Sequence, residues 1–231
     1  MGESPEIERR AALHGALADP ARLRIVDALA LGDASPSELA GSLEISSNLM
    51  AHHLGVLERA GLTTRHRSEG DGRRSYVRLA EVSFSGLCIP RHQAAPRVLF
   101  VCTGNSARSQ LAAALWQQCS SIPATSGGTR PAAQISPDAV AAAQRHGLDL
   151  CASTPRHVSE VHHPGDLVIT VCDRARECLE IPIDLHWSIA SLGSARSHEA
   201  VDAVFEEIAQ RVHTLAPHLN PPTSSCPPSP V

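Results

Sequence analysis

The stretch Arg97–Gln110, RVLFVCTGNSARSQ, decides the fold of the longer part of this chain. Val98 to Val101 are apolar in succession and make a short strand. Cys102 stands at its end, a turn with Gly104 and Asn105 follows, and Arg108 and Ser109 open a helix. A cysteine and an arginine placed in this way make an oxyanion cradle. The backbone N–H groups of Thr103, Gly104, Asn105, Ser106, Ala107 and Arg108 curl round one point. The helix N-terminus adds positive potential, and the guanidinium offers a planar fork for two oxygens. The same field favours Cys102 as a thiolate, the form that attacks, and the Ser109 hydroxyl can donate to it.

Downstream, the pattern alternates between strands and helices. SQLAAALWQQC is a helix, ATSGGT a short strand, and SPDAVAAAQRHG a helix with Ser136 as its cap and proline next. STPRHVSEV holds a short helix, DLVITVC is a strand buried on both faces, and LHWSI is a weaker strand. A last helix near 197–216 carries Val201, Val204, Phe205, Ile208, Val212 and Leu215 on one stripe. Such alternation predicts a doubly wound parallel sheet, which binds ligands at the carboxyl ends of its strands. Cys102 and Cys172 both sit at such ends.

Residues 1–88 read differently. Asp19-Pro20 starts one helix, and Ser35-Pro36-Ser37-Glu38 starts another with a capping box. After a tight link at Glu44 and Ile45, SSNLMAHHLGVLERAGL forms a helix with Met50, Leu54 and Leu57 on one face. Two candidate strands, LTTRHRS and RRSYVRL, flank a hairpin tip at Glu69-Gly70-Asp71-Gly72. Helix–turn–helix plus hairpin describes a winged DNA-binding domain. Its second helix offers Ser46, Ser47, Asn48, Ala51 and His52 to base edges. The wing offers Arg65, Arg67, Arg73, Arg74 and Arg78 to phosphates, against Glu69 and Asp71. The adjacent His52 and His53 point about 100° apart on a helix and do not chelate together, so no metal site is expected there.

The rest of the chain bounds these readings. Its 231 residues suffice for two modest domains. A net charge of −4 announces neither nucleic acid nor membrane as a whole-molecule partner. No apolar run follows a basic start and none is long enough to span a bilayer, so a cytoplasmic protein is expected. Seven irregularly spaced cysteines favour reduced thiols over a disulfide framework. Of these, Cys119 and Cys151 read as buried and inert, and Cys226 as incidental in a Pro-rich tail. The expected domains are 1–88, a linker 89–96, 97–218, and a disordered tail 219–231.

Two resemblances follow from these motifs. HHLGVLERAGL and the glycine-bearing arginine wing make the first domain resemble the ArsR family of dimeric winged helix-turn-helix repressors. That resemblance implies a homodimer on double-stranded operator DNA. The helix SPSELAGSL lacks the cysteine pair with which many such repressors sense metal. The second domain resembles the low-molecular-weight tyrosine phosphatase fold, and within it the thiol-dependent arsenate reductases, in VLFVCTGNSARSQ, STPRHVSEV, DLVITVCDRARE and HWSI. Gln110 after Ser109 follows the reductase habit.

That second resemblance implies a chemistry. Cys102 attacks arsenic while Arg108 and the 103–109 amides hold the oxygens. Cys172 attacks Cys102 and releases arsenite, and Cys178 resolves the disulfide. No cofactor is bound, and thioredoxin or a low-molecular-weight thiol is the reductant. A mobile segment from 172 to about 182 is expected. The family's Asp-Pro after HWSI, source of its general acid, is replaced by Ala190-Ser191-Leu192. Asp173, Asp184 and Glu199 are the candidate substitutes. Ala113 stands where some reductases carry a potassium-binding Glu, so no ion site is expected. The expected function is a repressor fused to an arsenate-reductase-like domain, binding arsenate, arsenite or phosphate. Two alternatives stay open: a sensor that only binds an oxyanion, and a tyrosine phosphatase tethered to DNA.

Overall fold

A computed structural model describes residues 5–80, 93–150, 153–192 and 198–220. The linker residues 89–92, Cys88, Cys151, Cys226 and the tail from 221 on lie outside the described residues.

The first domain is built from α1 (Pro5–Leu17), α2 (Pro20–Leu29), α3 (Pro36–Leu43) and α4 (Ser47–Arg59), then β1 (Thr63–Arg67) and β2 (Ser75–Leu79). The helices α2, α3 and α4 start where their cap chemistry dictates. Asp19 accepts from Arg22 N at 3.0 Å ahead of Pro20. Ser35 Oγ accepts from Glu38 N at 3.2 Å, while Glu38 returns a carboxylate to Ser35 N at 2.8 Å. Two orphan donors are thereby satisfied, worth about 1 kcal/mol for such a cap. Glu44, at φ 56°, turns the chain out of α3 in the left-handed region. The helices bury Ile25, Leu29, Leu39, Met50, Leu54 and Leu57 against Leu62 and Val77. β1 and β2 form the antiparallel wing, Thr63 opposite Leu79 and Arg67 opposite Ser75.

The second domain runs β4 (Val98–Cys102), α5 (Arg108–Cys119), β5 (Ala124–Gly128), α6 (Pro137–Arg145), α7 (Val158–Val161), β6 (Leu167–Thr170), α8 (Asp173–Cys178), β7 (Leu185–His186) and α9 (His198–Leu215). Its four strands are parallel in the order β5-β4-β6-β7. The chain therefore leaves β4 to one side and returns to the other. The carboxyl end of β4 is the topological switch point, where the crossovers diverge and leave a crevice. Phe100 packs between Trp116 and Trp187, with ring centroids 6.0 and 5.6 Å away, and α5 and α9 bury their apolar stripes on the sheet.

The expected boundaries move slightly. Gln93–Ala94 (β3) pairs in parallel with Leu219–Asn220 (β8). The end of the linker and the first two tail residues thus belong to one small ladder, because their backbone groups find partners in each other.

The two domains share an interface. Asp33 N donates to His186 O at 2.7 Å, and Ala34 bridges Val77 of the wing, so the 31–34 turn joins β2 to β7. A Cβ on Gly32 would sit 3.0 Å from His186 O, which explains glycine there. Trp187 Nε1 donates to Leu31 O at 2.9 Å, and Tyr76 lies 4.5 Å from the His186 ring. The Asp33 side chain, fully buried, accepts from Arg211 Nη2 at 2.7 Å and from Ser188 N at 2.8 Å.

Candidate active site and nucleic-acid surface

The loop after β4 is shaped by where its carbonyls go. Cys102 O accepts from Thr129 N, Thr103 O from Arg130 N, Gly104 O from Ala132 N and Ser106 O from Ser136 N, at 2.8–3.1 Å. Those oxygens are thereby tied to the segment after β5, which fixes the course of the loop over Cys102. Asn105 N already points at Cys102 Sγ, 3.2 Å away.

Asn105 itself is the keystone of the loop. It sits fully buried at φ 47°, a left-handed conformation that Asn tolerates better than most residues. Its Nδ2 donates to Ser109 Oγ and to Ser126 Oγ, each at 2.9 Å, and its Oδ1 accepts from Arg156 N at 2.8 Å. Ser109 Oγ lies 3.0 Å from Cys102 Sγ. Because Asn105 occupies a Ser109 lone pair, the hydroxyl proton is free to point at sulfur. Gln110 Nε2 reaches Asn105 O and Oδ1 at 3.2 Å and Thr154 O at 3.3 Å, tying α5 to the loop. Glycine at 128 is required: a Cβ would lie 2.8 Å from Thr103 O and 3.0 Å from Asn105 N. The helix α5 has no side-chain cap, so its first N–H groups are open to an anion.

Arg108 closes the cradle. Its Nη1 donates to Ile189 O at 2.7 Å, which holds the guanidinium between the β4 loop and the segment after β7. Cys172 is buried at the N-cap of α8, with Thr103 Oγ1 3.4 Å from its sulfur. Burial pushes the Cys172 thiol up; Arg108 pulls it down, and negative charge on Cys102 raises it. The two sulfurs thus feel each other's charge. Cys178, at the far end of α8, is exposed. The segment expected to be mobile is, over 173–178, a formed helix whose Asp173 and Ala175 are buried. Cys119, expected to be buried, is exposed at the last position of α5, where the helix leaves the core.

The candidate acids separate clearly. Burial alone would raise Asp173, but the His186 ring, with Nε2 3.3 Å away, and hydrogen bonds from Ser188 Oγ and Glu69 N outweigh it and hold the carboxyl at about 2. Asp173 is therefore a fixed anion. Asp184 accepts from Val168 N at 2.8 Å, near the amino end of β6 and away from the cradle. Glu199 opens α9. The carboxylate beside Arg108 is instead Glu69, from the tip of the wing. Its Oε2 lies 3.8 Å from Arg108 Nη1, and Ser191 N donates to Oε1 and Oε2 at 3.2 and 3.1 Å. Nothing local in SEGDG pointed to this; the residue reads as a wing charge until the domains dock.

The residues expected to face DNA are arranged more simply. Ser46, Ser47, Asn48, Ala51 and His52 are all exposed at the start of α4, while His53 packs inward. Ser46 also caps the helix, accepting from Leu49 N at 3.4 Å. Arg65, Arg67, Arg73 and Arg74 are exposed and line one groove of the wing with His66 and Ser75. Arg65 pairs with Glu58 at 3.0 Å. Arg78, expected among the phosphate contacts, turns the other way. It bonds Glu207 at 2.7 Å and Ser188 O, because its strand position faces the second domain.

Residues 17–66 match the model of a helix-turn-helix domain, and residues 97–194 match that of the low molecular weight phosphotyrosine protein phosphatase. An arsenate reductase of Bacillus licheniformis is 31% identical over 137 residues, covering 52% of this chain and 94% of that protein. The chain belongs, through its second domain, to the low molecular weight phosphotyrosine protein phosphatase family. An arsenate reductase of Halalkalibacterium halodurans is also 31% identical and 94% covered. A solved arsenate reductase from Archaeoglobus fulgidus is 32% identical, covering 52% of this chain and 98% of that one, with a TM-score of 0.46. The chain thus carries a helix-turn-helix DNA-binding domain ahead of an arsenate-reductase-like member of this phosphatase family. No helix among the described residues is long and apolar enough to cross a membrane.

Proposed function

We propose that this protein is a cytoplasmic, ArsR-type homodimeric repressor of an arsenic response, whose second domain binds arsenate and reduces it. One observation carries the reading: a second buried thiol, Cys172, stands beside the nucleophile's loop and within reach of its charge. A phosphatase needs one thiolate; a reductase needs two. Cys102 Sγ attacks arsenic and displaces one oxygen as water, giving a Cys102–arsenic bond. That bond consumes the Cys102 charge, which had added to the effect of burial in holding the Cys172 thiol up. The Cys172 thiolate then attacks Cys102 Sγ. The sulfur–sulfur bond forms, the sulfur–arsenic pair stays on arsenic, and arsenic(V) leaves as arsenic(III). Cys178 exchanges for Cys102, and thioredoxin or a small thiol reduces the Cys172–Cys178 disulfide.

The coupling to DNA follows from α8. Cys172 and Cys178 lie six residues apart on the helix, about 9 Å along its axis. A disulfide needs Cα atoms about 4.4–6.8 Å apart, so α8 must unwind to form it. Asp173 and Glu177 of the same helix hold the wing: Glu69 N donates to Asp173 Oδ2 and Asp71 N to Glu177 Oε2, each at 2.7 Å, and Ser68 Oγ donates to Glu177 Oε1 at 2.6 Å. Oxidation therefore releases the wing tip and changes operator affinity.

A thioredoxin-coupled arsenate assay and a gel shift on the full chain test both limbs. Arsenite formation is expected to vanish in Cys102→Ser and Cys172→Ser, and arsenate is expected to alter the wild-type shift only. Absence of arsenite from the wild type would sink the reductase reading. An unchanged shift after oxidation would sink the coupling.

A further inference from the structure

The segment Ala190-Ser191-Leu192 follows HWSI with no carboxyl side chain, so the second domain by itself brings no acid to the mouth of the cradle at that point. A thiolate that displaces oxygen from arsenic or phosphorus needs a proton on the leaving oxygen, and a positioned acid supplies about 10²–10⁴ in rate. The wing places a carboxyl group there. Glu69 rests on the backbone N–H of Ser191 itself, through both carboxyl oxygens, and lies 3.8 Å from the Arg108 guanidinium. Its own backbone is pinned from both sides: Glu69 N donates to Asp173 Oδ2 at 2.7 Å, and Arg174 Nε donates to Glu69 O at 3.4 Å. The side chain is 44% exposed, so it can be reprotonated from solvent between turnovers.

We propose that Glu69, contributed by the wing of the DNA-binding domain, is the general acid of the cradle, so that the site is complete only when the two domains are docked. The inference rests on the thiolate chemistry proposed above. In the first step the Cys102 thiolate forms a bond to arsenic with its own electron pair. The arsenic–oxygen bond breaks with its pair on oxygen, and the Glu69 carboxyl proton goes to that oxygen. Dihydrogen arsenate thus becomes a Cys102 arsenate thioester and water, leaving Glu69 as a carboxylate. No oxidation state changes. Asp173 cannot stand in for Glu69, because it is buried away from solvent with its oxygens taken by Glu69 N and Ser188 Oγ; its part is to hold the wing amide.

The full chain is assayed for arsenate reduction and for hydrolysis of p-nitrophenyl phosphate and phenyl phosphate. Glu69→Gln keeps an acceptor for Ser191 N and removes the proton. Its kcat is expected to fall about 100-fold or more on arsenate and on phenyl phosphate, and far less on p-nitrophenyl phosphate, whose leaving group needs little protonation. The double variant Glu69→Gln/Ser191→Asp, which returns a carboxyl to the same spot from the other domain, is expected to recover at least tenfold. A Glu69→Gln rate equal to or above wild type, or an equal loss on both aryl phosphates, overturns the proposal. A wild type that makes no arsenite but hydrolyses phenyl phosphate through Glu69 overturns the arsenate reading and leaves the acid standing. A wild type inert toward all three overturns both.

Discussion

Replacing Gly70 by alanine tests whether the wing tip is held by α8. The added Cβ would lie 2.2 Å from Glu177 Oε2, 3.0 Å from Glu177 Cδ and 3.1 Å from Arg174 N. The carboxylate can swing away, but the Arg174 backbone cannot, so the tip must lift. Lifting gives up the bonds from Ser68 Oγ and Asp71 N to Glu177 and from Glu69 N to Asp173. Hydrogen bonds to charged groups contribute about 1.5–3 kcal/mol each, so losing even two of these three costs about 3 kcal/mol or more. That corresponds to about two powers of ten in the opening equilibrium. Native-state hydrogen exchange reads it directly: the Glu69 and Asp71 amides are expected to exchange about 100-fold faster in Gly70→Ala. Amides of the β4–β6 ladder are expected to keep their wild-type protection. The same variant withdraws Glu69 from Ser191 and is expected to lose arsenate reduction to the degree Glu69→Gln does. Wild-type protection at both amides would refute the claim that these contacts hold the wing.

Three further outcomes are expected. Gly128→Ala drives a methyl group into Thr103 O and Asn105 N and is expected to raise the arsenate KM at least tenfold while circular dichroism shows the fold retained. If Arg73 and Arg74 each meet a DNA phosphate, the slope of log K against log salt in operator binding is expected to shallow by about 0.9 in Arg73→Ala and in Arg74→Ala. His66, packed against Ser188 at the domain interface, is held below its ordinary value chiefly by burial, with Arg78 adding to the effect and Asp33 and Asp173 opposing it. The unfolded state then binds the extra proton, so the His66 contribution to stability is present above about pH 6.5 and is lost as pH falls below it. Denaturant titrations of wild type and His66→Gln across that range are expected to converge at low pH; parallel curves would remove His66 from the pH dependence.

Much of the cradle was legible from residues 97–110 because its cause is local. A strand that ends at Cys102, a turn with Asn105, and a helix opening at Arg108 are consecutive in the chain, so their geometry follows from dihedral preference and capping. The capping box at Ser35 and Glu38 and the proline starts of α2, α3 and α6 were legible for the same reason. The exposed face of Ser46, Ser47, Asn48, Ala51 and His52 follows from helical period once Met50, Leu54 and Leu57 are buried. Cys119 shows the limit of such reasoning. Its neighbours are apolar, yet its position at the last turn of α5 leaves it exposed, and only packing decides how far a buried stripe extends.

What the amino-acid order determined by itself is a pair of domains with their chemistry at opposite ends: a polar helix start and basic wing in one, a cysteine and an arginine at a strand end in the other. Tertiary structure alone decided that the two domains dock through the wing. The contacts between Arg78 and Glu207, Glu69 and Ser191, and Glu177 and Asp71 span more than a hundred residues of sequence, and no periodicity or cap predicts a partner at that distance. The switch-point crevice at Cys102 is open because crossovers leave β4 to both sides. Glu69 reaches it because the buried Asp33, Trp187 and Tyr76 contacts dock the wing beside β7. A carboxyl that reads as a surface charge in the hairpin thereby comes to lie against Ser191 N and 3.8 Å from the Arg108 guanidinium.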